Sequence, residues 1–258
     1  MYKKIFLSTL FFSLFINSFV LAISISEQQE LAIGKSYAMQ LERQLPIINN
    51  AEITNYITQL GNNLVSHSNR TNIPYRFRMV NSKEINAFAL PGGYIYINRG
   101  LILNADNESE LVGVLAHEIA HVTERHSAEQ IPKSQLSQGA LSAFGRLVGN
   151  RGLGGQIAYM GANLLNKGVS LKFGRDAERE ADQVGANIVS SSGWNPQGMI
   201  TFFNKLAQKD RGGKSAAFFS SHPSPAEREA NISALLAKLG NKGKVDSPEF
   251  QRIKKLLT

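Results

Sequence analysis

The sequence predicts an α+β fold, mainly helical, with a small β-sheet beside one central helix. Polar and apolar residues alternate over residues 75–79, which indicates a half-buried strand, and two further strand-like runs follow at 86–90 and 94–97. Segments with apolar residues at helical spacing lie before and after this group of strands. A group of strands flanked by helices, without regular strand–helix alternation, is typical of the α+β class.

Two helices are predicted before the first strand. Ser26 and Gln29 form a capping-box pattern that marks the start of the first helix. The second helix is predicted over residues 51–66 from its apolar residues at helical spacing. His67 follows this helix, where its cation would face the negative end of the helix dipole. Residues 91–93 read Pro-Gly-Gly and predict a turn between the second and third strands.

The central helix carries the most informative motif. It is predicted to begin at Asn107 as N-cap, with Glu110 at the third helical position. Within the almost uncharged run LVGVLAHEIAHV, His117, Glu118 and His121 form an HExxH sequence. Residues four apart share one face of a helix, so the two imidazoles should converge.

Two neutral imidazoles at this spacing can bind one Zn²⁺, and the intervening Glu118 would take a proton from an attacking water. Two histidines and a carboxylate in so apolar a helix would be costly to bury without a partner, and a metal ion supplies one. The motif therefore predicts a zincin-like metallopeptidase domain that needs a third protein ligand.

A third histidine ligand is not expected shortly after the motif. The position at which a metzincin would carry it is Ser127, and Glu124 stands where that pattern needs glycine. His126 lies one position too early, so we reject it as a ligand. We expect it to be a histidine that lies at the end of the helix.

A cluster of acids downstream offers a carboxylate ligand instead, on a helix predicted over residues 175–192: Asp176, Glu178, Glu180 and Asp182. Glu178 and Asp182 are four apart, so one can bind the metal while the other accepts a hydrogen bond from a ligand histidine. The alternative is a charged, exposed helix start that interacts favourably with the helix dipole.

The rest of the C-terminal half is predicted to be helical. Gly193 closes the acidic helix, and Asn195 caps the next one. Further helices are expected to start at Ser224 and, as a short C-terminal extension, at Ser247. The glycine-rich segment 139–172 is compatible with closely packed helices or with a mobile cover over the active site.

The N-terminus predicts export. Lys3 and Lys4 precede an apolar run, and Ala22 fits the last residue of a signal peptide spanning residues 1–22. Residues 23–258 then form a single domain. Residues 5–22 could alternatively remain as a membrane anchor, since the run is just long enough to span a bilayer.

Composition narrows the function classes. The chain has no cysteine, so it contains neither disulfides nor thiolate zinc ligands, which suits a bacterial periplasm. The formal charge of +8 comes from scattered basic residues without a basic stripe, which argues against nucleic-acid binding. Peripheral attraction to an anionic membrane surface remains compatible with this charge.

Four segments carry a family resemblance: NAFALPGGYIYINRGL, HEIAH, EREAD and SHPSPAER. With them the chain resembles peptidase family M48, the gluzincin metallopeptidases that include HtpX-like and CAAX prenyl proteases, over roughly residues 30–240. It is most similar to the periplasmic members. The resemblance implies zinc ligation by His117, His121 and Glu178, catalysis by Glu118, and an acid at Asp182 that holds a ligand histidine.

The resemblance also points to His222 and, just after it, Arg228. His222 could be a fourth, inhibitory zinc ligand, a donor to the transition-state oxyanion, or a residue that only orders the turn at Pro223.

Substrate binding is predicted at the strand before the metal helix. An extended peptide could add to its edge along Gly92, Gly93, Tyr94 and Ile95 through main-chain hydrogen bonds. The alternative is a simple hairpin turn.

The sequence therefore predicts a periplasmic zinc endopeptidase that hydrolyses misfolded or stalled periplasmic and outer-membrane proteins. The alternative is a chaperone-like binding module with structural zinc and little proteolysis.

Overall fold

The computed structural model describes residues 25–136, 173–210, 216–222, 233–235 and 237–258. The described elements are, in chain order, α1 (Glu27–Leu41), α2 (Ala51–Val65), β1 (Arg76–Val80), β2 (Ala87–Leu90), β3 (Tyr94–Asn98), α3 (Arg99–Asn104), α4 (Glu108–Thr123), α5 (His126–Leu136), α6 (Arg175–Ser191), α7 (Gln197–Asp210), α8 (Ala216–Ser221) and α9 (Pro248–Leu256). Several predictions fall outside the described residues: the signal peptide 1–22 or anchor 5–22, the segment 139–172, the helix start at Ser224, and Arg228.

The three strands form one small sheet in the order β1-β3-β2. β1 runs parallel to β3, with Arg76 opposite Tyr94, and β2 runs antiparallel to β3, with Ala87 opposite Ile97. Helices precede and follow the three strands in the chain, so the predicted α+β class is confirmed.

The predicted substrate edge at Gly92, Gly93, Tyr94 and Ile95 is wrong. Tyr94 and Ile95 lie in the central strand and have partners in both β1 and β2. Gly92 and Gly93 form the turn before it, with φ of 76° and 91°, values that glycine adopts without strain. Alternation in a sequence marks a strand but does not determine which strands become its neighbours. Here a parallel crossover places β1 against β3.

Local capping fixes the helix starts as expected. At α1, Ser26 Oγ accepts a hydrogen bond from Gln29 N at 3.2 Å, and Gln29 Oε1 accepts one from Ser26 N at 2.8 Å. At α4, Asn107 Oδ1 accepts from Glu110 N at 3.2 Å. The Glu110 carboxylate reaches past the cap to Asp106 N at 2.9 Å, one residue earlier than a capping box requires.

A short helix separates the sheet from α4. α3 begins at Arg99, immediately after β3, and buries Leu101 and Ile102 completely. Its six residues are too few for a helical period to emerge from the sequence.

The helix α4 is the centre of the molecule, since all of its residues are buried. It packs most extensively against α6 and α7, and it also contacts β2 and α2. Glycines allow the close approach: a Cβ on Gly113 would lie 2.7 Å from Met199 Cα of α7, and one on Gly185 of α6 would lie 3.1 Å from His117 N. Within the described part of the chain, no helix combines the length and the apolar character that crossing a membrane requires.

Candidate metal centre

The two histidines of α4 point to one place. His117 and His121 lie one turn apart on the same face of the helix, and neither is exposed to solvent. Their Nε2 atoms approach to 3.0 Å, with the two rings nearly perpendicular. A shared ion can stabilise two imidazole nitrogens that converge in this way, far from water.

The helix α6 brings a carboxylate to the same point. Glu178 is 2% exposed, and its Oε1 lies 3.5 Å from His121 Nε2 while its Oε2 lies 3.5 Å from His117 Nε2. Glu178 belongs to the first turn of α6, which packs along α4 with Gly185 at the contact. The packing of the two helices therefore brings together ligand types that are distant in the sequence.

A third imidazole closes the cluster. His222 follows α8, and its Nδ1 lies 3.3 Å from His117 Nε2 and 2.9 Å from Glu178 Oε1. One ligand atom from each of His117, His121, Glu178 and His222 lies within 4.8 Å of the other three. All four residues are buried.

The spacing of these atoms fits a tetrahedral metal ion. Zinc binds histidine nitrogen at about 2.0–2.1 Å, which places tetrahedral ligand atoms about 3.3 Å apart. Five separations between nitrogen and oxygen atoms of these residues lie between 2.9 and 3.5 Å and bracket this value, and one atom from each residue lies within 4.8 Å of the other three. The nitrogen and oxygen donors are those that zinc accepts, so the residues present fit the metal that the sequence predicts.

The electrostatics of the cluster also suit a cation. Burial lowers the pKa of His121 well below its ordinary value, which keeps the imidazole neutral with a lone pair available. Burial raises the pKa of the Glu178 carboxyl, but the imidazoles of His222, His117 and His121 outweigh burial and hold that pKa below its ordinary value. A neutral histidine and an ionised glutamate are the ligand forms that a divalent metal requires.

Asp182 lies one turn beyond Glu178 on α6, where the sequence placed it. Its Oδ1 is 3.0 Å from His117 Nδ1, and the carboxylate is 2% exposed. A hydrogen bond from Nδ1–H to this acid leaves the Nε2 lone pair of His117 directed at the cluster. The structure therefore places Glu178 at the ligand atoms and Asp182 behind them.

Glu118 lies beside the cluster and is fully buried. Its Oε1 is 3.4 Å from His222 Nε2, so His222 faces the ligand atoms through Nδ1 and Glu118 through Nε2. A carboxylate in this position can exchange a proton with a group held at the metal.

Three phenylalanines that the sequence analysis did not identify hold the imidazoles in place. Phe173 stacks on His121 with ring centroids 3.9 Å apart, and Phe218 stacks on His222 at 4.6 Å. Phe203 meets His117 edge to face at 5.7 Å. A phenylalanine in an apolar segment gives no sequence signal for such a role, because these contacts join residues far apart in the chain.

His126 is outside the group of four ligand atoms, and it is the first residue of α5. It is nevertheless buried against the site, with its Nδ1 2.9 Å from His121 Nδ1 and its Nε2 3.2 Å from Glu180 Oε2. No sequence pattern indicates this contact. The chain turns sharply between α4 and α5, and no spacing rule for a continuous helix applies across that turn.

A buried HExxH helix beside a small sheet, with a glutamate on a second helix, is the arrangement typical of gluzincin metallopeptidases. The chain belongs to peptidase family M48, because the model of that family matches residues 51–236.

Named relatives agree with this assignment. The chain is 36% identical over 214 residues to the beta-barrel assembly-enhancing protease of Escherichia coli, covering 81% of this chain and 44% of that protein. It is 29% identical over 219 residues to the metalloprotease LoiP of Escherichia coli, covering 82% of each. It is 32% identical over 185 residues to the mitochondrial metalloendopeptidase OMA1 of Schizosaccharomyces pombe, covering 71% and 53%. The chain spans less than half the length of the beta-barrel assembly-enhancing proteases it matches.

Proposed function

We propose that this protein is a zinc-dependent endopeptidase that hydrolyses peptide bonds in misfolded or stalled proteins of the periplasm and outer membrane. One observation carries the proposal: ligand atoms of His117, His121, Glu178 and His222 meet in a buried cluster beside Glu118. This combination provides a metal site and an adjacent base in one place.

In this proposal His117, His121 and Glu178 hold the zinc ion, and Asp182 keeps His117 in the ligating tautomer. When bound, zinc supplies a Lewis acid that polarises water and the scissile carbonyl. The three phenylalanine contacts limit rotation of the imidazoles, so the ligand atoms stay at the spacing that the ion requires.

Glu118 acts as the general base and then as the general acid. Its carboxylate takes a proton from the attacking water and later gives it to the nitrogen of the leaving amine. Its complete burial favours this exchange, because a water-excluded site strengthens electrostatic interactions.

His222 is proposed as a resting-state ligand. Its Nδ1 lies among the other ligand atoms, so it would fill the position that a catalytic zinc site leaves open for water. Activity then requires His222 to move away. Two other roles remain as alternatives, a donor to the oxyanion or an ordering residue for the turn at Pro223. Arg228, which follows it in the family motif, is proposed to act near the same site.

A second function is favoured by the same histidine. Four protein ligands are typical of structural zinc sites, so a permanently bound His222 would suit a chaperone-like binding module that cleaves little.

Casein digestion separates the two functions. Glu118→Gln keeps the size of the side chain but removes the base. The endopeptidase hypothesis therefore predicts that casein digestion falls at least about 100-fold, which is in the range of general acid–base catalysis. Zinc content should stay at one ion per chain in wild type and in Glu118→Gln. Equal digestion by the two proteins would refute the endopeptidase hypothesis. Digestion by wild type that persists after complete chelation of the metal would refute its dependence on zinc.

The substrate is proposed to pair with β2, which lies at the edge of the described sheet and contacts α4. In the register of β2 with β3, the backbone N–H and C=O groups of Phe88 and Leu90 face β3. The backbone N–H and C=O groups of Ala87 and Ala89 therefore point away from β3, toward the edge where a peptide could pair. Ala89→Pro removes one outward N–H at an edge position. It should raise KM for a peptide while leaving zinc content unchanged, and an unchanged KM would contradict the pairing.

A periplasmic location is proposed from the signal peptide predicted at residues 1–22. An outer-membrane class of substrate is proposed because a relative at 36% identity is named a beta-barrel assembly-enhancing protease. N-terminal sequencing of the exported protein should find Ile23 as the first residue. An intact Met1 in the membrane fraction would favour the anchor instead.

A further inference from the structure

A series of polar contacts runs outward from the four ligand residues through His126. His121 Nδ1 lies 2.9 Å from His126 Nδ1, and His126 Nε2 lies 3.2 Å from Glu180 Oε2. His126 is 4% exposed, whereas the Glu180 side chain is 57% exposed. The contacts therefore run from a fully buried ligand residue, His121, to a carboxylate at the surface.

The direction of the hydrogen bonds follows from the ligand role of His121. If His121 binds zinc through Nε2, its remaining proton is on Nδ1 and must be donated to His126 Nδ1. His126 then carries its own proton on Nε2, which it donates to Glu180. The reverse assignment would place a proton on His121 Nε2, between the imidazole and the ion. Only the first arrangement is compatible with metal binding.

We propose that His126 is a positioning residue that fixes the tautomer and ring orientation of the zinc ligand His121. The inference rests on the proposed zinc site. His117 has Asp182 directly behind it, whereas His121 reaches its carboxylate, Glu180, through a second imidazole. Both acids belong to α6, so one helix supplies a ligand and supports both ligand histidines.

The backbone before His126 is held in the geometry that this contact needs. Arg125 has a φ of 59°, a left-handed conformation that a residue other than glycine rarely adopts. Its side chain donates from Nε to Glu30 Oε2 at 2.8 Å and from Nη2 to the Ile25 carbonyl at 2.7 Å. Glu30 is 1% exposed. This anchored turn ends α4 and brings His126 back against His121.

Zinc affinity measured by competition with a chromogenic chelator tests the proposal. His126→Leu fills a similar volume without an acceptor and should weaken zinc binding by about 10–100-fold, the range for partners of metal-ligating histidines. His126→Asn places an amide oxygen near the position of Nδ1 and should keep affinity within about threefold of wild type. Cobalt-substituted His126→Leu should also show an altered visible absorption spectrum, because the ligand ring can rotate.

The controls separate a positioning role from a general loss of structure. His67→Leu and His67→Asn change an exposed histidine after α2 and should leave zinc affinity unchanged. Thermal unfolding of the metal-free variants reports their folding. Equal zinc affinity in wild type and His126→Leu overturns the proposal, and so does an equal loss in His126→Leu and His126→Asn. A wild-type protein that binds no zinc would instead refute the proposed function.

Discussion

The Nδ1 atom of His117 lies 3.0 Å from Oδ1 of Asp182, and both side chains are buried. Asp182 is one helical turn from Glu178, whose carboxylate lies beside the other nitrogen of the same imidazole. One face of α6 therefore supplies both the proposed ligand Glu178 and the acid Asp182, which orients the ligand His117. The ExxxD spacing follows from the period of an α-helix.

Removing Asp182 should weaken metal binding. Asp182→Ala leaves His117 without its acceptor, so zinc affinity is expected to fall by about 10–100-fold in a chelator competition. Asp176→Ala is the matched control, because Asp176 lies on the same helix with its side chain 95% exposed and pairs only with Arg179 among the contacts described. An Asp182→Ala protein that binds zinc as tightly as Asp176→Ala would refute the orienting role.

Removing His222 should raise proteolysis. If His222 fills the fourth ligand position, His222→Ala opens that position to water, and casein digestion is expected to increase several-fold at unchanged zinc content. A fall of about 100-fold or more would indicate an oxyanion donor. Unchanged digestion would indicate only an ordering role. The exposed His67→Ala serves as control and should match wild type.

Filling the helix contact at Gly113 should destabilise the fold. A Cβ there would lie 2.7 Å from Met199 Cα, so Gly113→Ala forces α4 and α7 apart and is expected to cost about 1–3 kcal/mol of unfolding free energy. Gly174→Ala adds the same atom before α6 with nothing within 4 Å and should have little effect. Urea denaturation of the metal-free proteins compares them. Equal midpoints would show that the contact yields without cost.

Glu30 should make stability depend on pH in the acid range. Burial raises the pKa of Glu30, but hydrogen bonds and charges from Arg70 and Arg125 outweigh it and hold the pKa below its ordinary value of 4.5. The unfolded chain therefore binds a proton first as pH falls, and stability present above pH 4.5 is lost below it.

This pH effect can be measured on the metal-free protein by urea unfolding at pH 7 and pH 4. Wild type should lose more unfolding free energy between these pH values than Glu30→Gln, which has no carboxylate to titrate. Glu84→Gln changes an exposed glutamate and should behave like wild type. If Glu30→Gln and wild type lose the same amount, Glu30 is not the source of the pH dependence.

The sequence by itself determined the features that depend on neighbouring residues. Helix starts at Ser26 and Asn107 follow from side chains that bond to nearby backbone groups. The convergence of His117 and His121 follows from helical periodicity, and the three short strands follow from local alternation. These relationships act over a few residues, so the linear pattern contains them.

The tertiary structure decided the strand order and the contacts between segments that are distant in the chain. It placed β3 between β1 and β2, which removed the predicted substrate edge at Tyr94 and Ile95. It turned Glu178 rather than Asp182 toward the ligand atoms of His117 and His121.

The same packing brought Phe173 and His126 against His121. The physical reason is that strand order, the rotation of one helix against another and contacts across a turn depend on packing the whole core. That packing involves residues far apart in the chain, and a local pattern does not specify them.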